Sequence, residues 1–184
     1  MMKSKKIQAR DIIFCGLFAA LIAVGAFIKI PVPFVPFTLQ FLFTNLAALL
    51  LGKRLGSISV LVYILIGLVG LPVFANGGGL GYIFQPSFGY ILGILAGTWV
   101  TGAISEKHTV FSVKMVIIAS LAGLSVIYVC GLVYYYLLAN YYLHSPIAAS
   151  TLLLHGFLLT LPGDFIKIFA SLFIAKRLQH SLIR

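Results

Sequence analysis

The last apolar stretch of the chain contains two ionisable residues, Asp164 and Lys167. If this stretch is a helix that ends at the basic pair Lys176-Arg177, Asp164 lies about 18 Å before that pair, near the middle of a bilayer. An ionisable group there costs at least about 2.5 kcal/mol, so such residues usually face a bundle interior and mark a substrate or ion path. The three-residue spacing puts both side chains on one helix face. The pair indicates either a ligand site or a contact that only holds helices together.

Further polar residues border apolar stretches on the side of the membrane that we predict to be outside. The candidate binding residues are Thr38, Gln40, Asn76, Gly77, Gly78, Tyr82, Gln85, Ser87 and Tyr90, with aromatic walls from Phe34, Phe37, Phe74 and Phe84. Ligand pockets are mostly apolar with a few convergent polar groups. The set therefore favours a site for a small organic molecule, although each residue alone is also explained as a cap or an interface residue. The glycine run from Gly77 to Gly81 could offer backbone N–H groups to an anion or form a plain turn.

Residues for catalysis are poorly represented. Asp11 and Glu106 are predicted at the cytoplasmic surface, which leaves Asp164 as the one buried acid. The four histidines show no metal-ligand spacing, and His155 is interpreted as a structural residue. The sequence contains no phosphate loop and no nucleophile elbow. We therefore predict a protein that is not an enzyme and uses no cofactor.

Composition indicates the elements that must position these residues. With 61% hydrophobic and 9% charged residues and a mean hydropathy of +1.13, the chain is predicted to be an all-α integral membrane protein forming a single domain over residues 1–184. Its apolar stretches have lengths near those needed to cross a core of about 30 Å. The six predicted spans are Ile12–Ile30, Thr38–Leu51, Leu55–Leu71, Pro86–Ile104, Met115–Ala139 and Thr151–Ala175. The first is interpreted as an uncleaved span, and Cys15 and Cys130 lie within spans without forming a disulfide framework.

The basic residues give these spans a direction. An even number of spans puts both termini on one side, and eleven lysines and arginines fall at the termini or between spans two and three or four and five. They are Lys3, Lys5, Lys6, Arg10, Lys53, Arg54, Lys107, Lys114, Lys176, Arg177 and Arg184. The positive-inside rule makes this side cytoplasmic, so the net charge of +10 indicates a lipid bilayer rather than nucleic acid. Of the two remaining cations, Lys29 is predicted to extend to the membrane interface.

Three connections lie on the opposite, outer side. Pro31–Phe37 contains three prolines and Pro72–Gly81 ends in glycines, and both are too apolar for solvated loops. Irregular backbone at membrane depth must be covered by protein or line a cavity. We expect these two outer segments to fold over the bundle as a lid or wall, and the aromatic connection around Tyr141–Pro146 to lie at the interface.

Small residues recur on the first span at intervals of three and four. They are Gly16, Ala19, Ala20, Ala23 and Ala26. Such a stripe permits close contact between helices. The sequence leaves open whether the contact is with this bundle or with another protein.

Several motifs together resemble those of the BioY family, the biotin-binding S-components of energy-coupling-factor (ECF) transporters. They are Ala19-x-x-x-Ala23, the run from Pro33 to Gln40, Gly70-Leu71-Pro72-Val73-Phe74-Ala75, Gly89-Tyr90-Ile91-Leu92-Gly93 and Pro162-Gly163-Asp164-x-x-Lys167. The resemblance covers essentially the whole chain. The sequence departs from the family pattern at Gln85–Tyr90, where Phe88 is bulkier than the glycine that members usually have. Span four also contains no arginine, so a family contact that uses an arginine there cannot be carried over to this chain.

The resemblance implies a six-helix bundle in the bacterial plasma membrane that captures biotin from outside. It also implies association with a transmembrane coupling subunit and two cytoplasmic ATPases, with Ala19 and Ala23 on the docking surface. Hydrolysis of ATP would belong to these partners.

The ligand's chemistry fits the predicted site. The ureido ring of biotin offers two N–H donors to Asp164 and a carbonyl acceptor to Lys167, and its valerate would run toward Asn76 and the glycine amides. The opposite orientation, with Lys167 on the valerate, stays open. So do three alternatives: an S-component for another vitamin, a membrane enzyme using Asp164 and His155, and a proton-coupled carrier using Asp164.

Overall fold

The structure, a computed structural model, describes residues 8–30, 36–107 and 112–182, with side chains to residue 178. Some sequence-based predictions fall outside these residues: those for Lys3, Lys5, Lys6, Phe34, His108, Arg184 and the first five residues of the proline-rich segment.

Helices make up the regular secondary structure of the described chain, apart from one short strand pair. In order, the elements are α1 (Ala9–Phe27), β1 (Lys29–Ile30), β2 (Phe37–Thr38), α2 (Gln40–Val69), a 3-10 turn (Leu80–Phe84), α3 (Phe88–Ser105), α4 (Val113–Leu137) with a π-helical turn (Leu138–Tyr142), α5 (Ala149–Leu153) with a second π-helical turn (Leu154–Leu158), and α6 (Leu161–Leu182). The two strands pair antiparallel, with Lys29 opposite Thr38 and Ile30 opposite Phe37. The all-α prediction therefore missed this small hairpin, which brings both ends of the proline-rich segment together.

Within the described residues, five helical stretches are long and apolar enough to cross a membrane. They are Ala9–Phe27, Gln40–Val69, Phe88–Ser105, Val113–Tyr142 and Ala149–Leu178. Large apolar side chains also remain exposed along these helices, for example Val24 at 50%, Val129 at 62% and Phe169 at 59%. Water does not favour such a surface, whereas acyl chains do. The structure thus confirms the predicted helical fold, with five described helical stretches that could cross a membrane.

The second helix contains a sharp reversal that separates two arms. Gly52 has φ of 79° and ψ of −178°, a left-handed conformation that side chains disfavour. A Cβ on Gly56 would lie 3.1 Å from the carbonyl oxygen of Ala47, although an uninterrupted helix would separate these residues by about 13 Å. The arms therefore fold back on each other. The predicted gap between Leu51 and Leu55 is correct in place, but it is a turn at one residue rather than a loop.

The last predicted span is also irregular. Thr151–Ala175 was expected as one helix, but the chain forms α5, a π-helical turn and then α6. Pro162 lacks a backbone N–H, which accounts for the disturbed hydrogen bonding just before it. The consequence is that Asp164 lies in the first turn of α6, at the end of a helix dipole that favours negative charge.

Close packing of α3 on α4 closes one side of the bundle. A Cβ on Gly97 would lie 2.6 Å from the carbonyl oxygen of Gly123, so the two backbones touch directly. Small residues allow this approach between membrane helices. Ile91 and Ile94 of α3 and Leu124 and Ile127 of α4 border a cavity.

Candidate functional site

The charged pair predicted from the sequence lies inside the bundle. The Lys167 Nζ and the Asp164 Oδ1 are 2.5 Å apart, and the two side chains are 6% and 7% exposed. The hydroxyl of Tyr128, on α4, donates to the Asp164 Oδ2 and lies 2.7 Å from the Thr160 Oγ1. Each carboxylate oxygen thus has a partner, as burial of a charge requires.

Lys167 connects this pair to the proline-rich segment. Its ammonium donates to the Thr38 carbonyl oxygen at 3.0 Å and lies 3.8 Å from the centre of the Phe37 ring. The ammonium therefore combines an ion pair, a hydrogen bond and a cation–π contact. The end of the first outer segment is held against α6 by a buried charge.

A cavity opens beside the charged pair. Both Asp164 and Lys167 border it, as do five more of the predicted binding residues: Thr38, Gln40, Tyr82, Ser87 and Tyr90. Phe37, predicted as an aromatic wall, also borders it, together with Pro36 and Ala75 from the two outer segments. The structure therefore brings together the two predicted charges, five predicted polar residues and parts of both outer segments around one space.

The other predicted residues do not border the cavity. Asn76 and Gln85 are exposed, and Gly77 and Gly78 lie in the turn beyond Ala75. Phe74 is fully buried behind the cavity, with its ring centre 4.5 Å from that of Tyr82. Phe84 stacks on Tyr142 at 5.0 Å, away from the cavity, so its predicted role as a wall is wrong in this conformation.

The glycine run is a hydrogen-bonded turn. The Gly77 N–H donates to the Phe74 carbonyl oxygen at 3.2 Å, and the Gly79 N–H donates to the Gly67 carbonyl oxygen at 2.7 Å. These two amides are not free to bind an anion. The sequence left open whether this run binds an anion or forms a plain turn, and the structure shows the turn.

A line of hydrogen bonds runs from Thr38, which follows the first outer segment, to Val73 in the second. The Thr38 hydroxyl donates to the Gln40 Oε1 at 2.9 Å, and the Gln40 Nε2 donates to the Tyr63 hydroxyl oxygen at 2.7 Å. Tyr63 donates in turn to the Val73 carbonyl oxygen at 3.3 Å. Gln40 is thus a positioning residue as well as a cavity residue.

Two phenol groups, those of Tyr82 and Tyr90, border the cavity together with Ser87. The Tyr82 and Ser87 hydroxyl oxygens lie 3.1 Å apart, and the Tyr90 hydroxyl donates to the Gly156 carbonyl oxygen at 3.1 Å. Burial raises the pKa of the Tyr82 phenol, so this group stays protonated and neutral. These three side chains offer neutral hydrogen-bonding groups, whereas the charges lie on α6.

Comparison with known proteins shows which family the chain resembles. The family model described as the BioY family matches residues 1–184. The chain is 44% identical over 174 residues to the probable biotin transporter BioY of Lysinibacillus sphaericus, covering 95% of this chain and 89% of the relative. The chain belongs to the BioY family. The biotin transporter BioY of Thermotoga maritima is 40% identical over 171 residues, covering 92% of this chain and 96% of the relative.

A solved structure extends this similarity to the fold. It is the crystal structure of the S-component for biotin from an ECF-type ABC transporter, with a TM-score of 0.80, 26% identity and coverage of 95% of each chain. BioY proteins form a transporter family rather than an enzyme family. Membership and the apolar helices together make this chain a multi-pass membrane protein.

Two polar side chains that border the cavity of this BioY protein, those of Tyr128 and Thr160, were missed from its sequence. Tyr128 has a detectable signal, since it lies well inside α4 rather than at an interface, where membrane tyrosines are enriched. A buried phenol needs a hydrogen-bond partner. Thr160 carries no comparable signal, because threonine in an apolar span usually bonds to its own helix.

The small-residue stripe of this BioY chain is divided between two faces of α1. Gly16 and Ala20 are exposed and Ala23 is intermediate. Ala19 is 5% exposed and belongs to the main core. The expectation that Ala19 lies on an accessible docking surface is therefore wrong for this conformation, because Ala19 faces into its own bundle.

Two other expectations concerned residues of this BioY chain outside the cavity. The His155 Nδ1 lies 3.0 Å from the Thr151 carbonyl oxygen one turn earlier, which fits the structural role predicted for it. The ammonium of Lys29, which is predicted to extend to the membrane interface, donates to the Ala75 carbonyl oxygen and the Asn76 Oδ1 in the second outer segment. Over the described ranges, no three His, Cys, Asp or Glu residues come together as a metal site.

Proposed function

We propose that this chain is the substrate-capture subunit of a biotin uptake transporter, an S-component that binds biotin from the outer face. The observation that carries the proposal is a buried Asp164–Lys167 pair at the wall of a cavity, in a chain of the BioY family. A pair that only held helices together would need no adjoining space.

The hydrogen-bonding groups of the cavity match a ureido ring. A carboxylate has about four lone-pair sites, of which Tyr128 and Lys167 occupy two in Asp164. The remaining sites can accept the two ring N–H groups. The Lys167 ammonium can then donate to the ureido carbonyl in place of one of its present acceptors, and charge assistance strengthens each of these bonds.

The remaining walls suit the apolar part of the ligand. Ile91, Ile94, Leu124 and Ile127 add apolar side chains to the cavity wall, and Phe37 and Tyr90 add aromatic surface. The sulfur-containing ring and the methylene chain of biotin would contact these groups, with the chain leading toward Ala75. Phe88 is buried and lies 6.1 Å from Tyr134 between ring centres, so its bulk is absorbed outside the cavity.

The proposed topology has six crossings and cytoplasmic termini. The reversal at Gly52 gives α2 two arms, so that one helical stretch accounts for two of the six predicted spans. In this topology the Lys53–Glu106 ion pair, at 3.4 Å, lies at the cytoplasmic face. This is also the face to which the positive-inside rule assigns most of the basic residues.

Energy for transport would come from partner subunits. We propose assembly in the bacterial plasma membrane with a transmembrane coupling subunit and two cytoplasmic ATPases. The exposed residues Gly16 and Ala20 on α1, with Ala23 beside them, would form the contact with the coupling subunit. This assignment moves the docking surface by part of a turn from the predicted Ala19–Ala23 face.

Titration of the purified chain in detergent with biotin tests the proposal. We expect saturable one-to-one binding by calorimetry, and strong loss of affinity in Asp164→Asn with the melting temperature of the apo protein measured alongside. The conservative control is Glu106→Gln, which lies outside the cavity and should bind as the wild type does. Absence of biotin binding together with tight binding of another vitamin would replace biotin but keep an S-component. Absence of binding to any vitamin would overturn the proposal.

A further inference from the structure

Lys29 joins the two outer segments at the edge of the cavity. It lies on β1, and its ammonium donates to the Ala75 carbonyl oxygen and, at 3.1 Å, to the Asn76 Oδ1. Ala75 itself borders the cavity. The ammonium is thus at the rim of the cavity, bonded to a residue that borders it.

The charge of Lys29 has no anionic partner within the chain's acidic side chains. The sequence contains three Asp and Glu residues in total. Asp11 accepts from the Gln8 N–H, Glu106 pairs with Lys53, and Asp164 pairs with Lys167. Lys29 has two neutral oxygen acceptors, and an ammonium has three donors. Within the part of the chain that the structure describes, a positive charge and one donor are therefore left for a ligand at the rim.

Lys29 and Lys167 approach the cavity from two sides of Thr38. Lys29 lies directly opposite Thr38 in the strand pair, a separation of about 5 Å between Cα atoms. The Thr38 carbonyl oxygen accepts from Lys167 on the inner side. The inner ammonium is neutralised by Asp164, whereas the outer one is not. A ligand with a neutral polar head and an anionic tail matches this arrangement.

We propose that Lys29 binds the carboxylate of the ligand at the rim of the cavity. This inference rests on the proposed function and assigns the orientation of the ligand, with its ureido ring on Asp164 and Lys167 and its valerate toward the outside. The carboxylate takes the free donor of Lys29, or replaces Asn76 as an acceptor. The Gly77 and Gly79 amides, already bonded within the turn, are not required.

Comparing biotin with biotin methyl ester tests this role, because the ester keeps the ureido ring and removes the charge. We expect the wild type to bind biotin about tenfold or more tightly than the ester, as loss of a charged hydrogen bond predicts. Lys29→Gln should weaken the binding of biotin by a similar factor and leave the affinity for the ester within about threefold of the wild-type value. Lys29→Arg should retain the preference for biotin. Lys114→Gln, which removes an exposed charge at the distant end of α4, is the control.

Each result separates this inference from the proposed function. If Lys29 only clips the two segments together, Lys29→Gln weakens both ligands equally and the inference is wrong. If the wild type binds the ester as tightly as biotin, the inference about Lys29 is wrong whatever the variants show. The proposed capture of biotin would still hold. If the wild type binds neither compound, the proposed function itself fails.

Discussion

The Tyr128 hydroxyl on α4 donates a hydrogen bond to the Asp164 carboxylate on α6. Because Lys167 holds the other carboxylate oxygen at 2.5 Å, the carboxylate plane is fixed from two sides by the protein itself. Side chains held in the bound geometry lose less entropy on binding. Tyr128 therefore acts as a positioning residue for the proposed biotin contact.

Replacing Tyr128 with phenylalanine should weaken biotin binding about tenfold, the effect of losing one hydrogen bond to a charged group. The ring packing on Phe157, at 4.8 Å between ring centres, is retained, so the protein should still fold. Calorimetric titration measures the affinity, and Tyr136→Phe, on the exposed side of the same helix, is the matched control. Equal affinities for the Tyr128→Phe variant and the wild type would contradict the positioning role.

The charged pair should behave as a unit in stability measurements. Lys167→Met leaves the Asp164 carboxylate buried without its cation and should cost about 3–5 kcal/mol of unfolding free energy. The double variant Asp164→Asn with Lys167→Met should recover much of this loss but should not bind biotin. Unfolding in mixed detergent gives the stabilities, with Lys176→Met, an exposed change on the same helix, as control. A double variant less stable than Lys167→Met would rule out this coupling.

Sequence reasoning found the charged pair and the helical membrane fold, because a charge inside an apolar run and a long apolar run are both local signals. It missed Tyr128, since the apolar sequence of α4 does not reveal which face meets α6. The family resemblance implied that Ala19 lies on a docking surface, whereas the stripe of small residues on α1 by itself does not say which neighbour it contacts. The turn in the glycine run and the reversal at Gly52 both depend on backbone conformation, which composition does not reveal. The contact of Lys29 with Ala75 depends on the tertiary meeting of two loops that are far apart in sequence.

The docking surface proposed on α1 should tolerate no large side chains. Gly16→Trp with Ala20→Trp should leave biotin affinity unchanged, because both positions face outward, but should prevent copurification with the coupling subunit. Val129→Trp, on the exposed face of α4, should allow normal assembly. Normal assembly of the Gly16→Trp, Ala20→Trp variant would remove α1 from the docking surface.

Substitution of Ala19, on the same helix, should affect stability instead of assembly. Its side chain is 5% exposed within the main core, so Ala19→Trp should overpack the bundle and lower the melting temperature, as small-to-large core changes do by about 1–3 kcal/mol. If Ala19→Trp blocked assembly while leaving the melting temperature and biotin affinity unchanged, Ala19 would have to face outward in the membrane.

The reversal at Gly52 should depend on glycine. Its φ of 79° disfavours any side chain, and a Cβ there would also collide with the Glu106 carboxylate, which accepts the Lys53 N–H at 2.9 Å and so caps the second arm of α2. Gly52→Ala should therefore cost about 1–3 kcal/mol of unfolding free energy, read as a lower melting temperature in detergent. Gly81→Ala, where a Cβ would meet open space, is the control. A Gly52→Ala variant as stable as the control would mean that α2 reverses elsewhere, and the six-crossing topology would lose its geometric support.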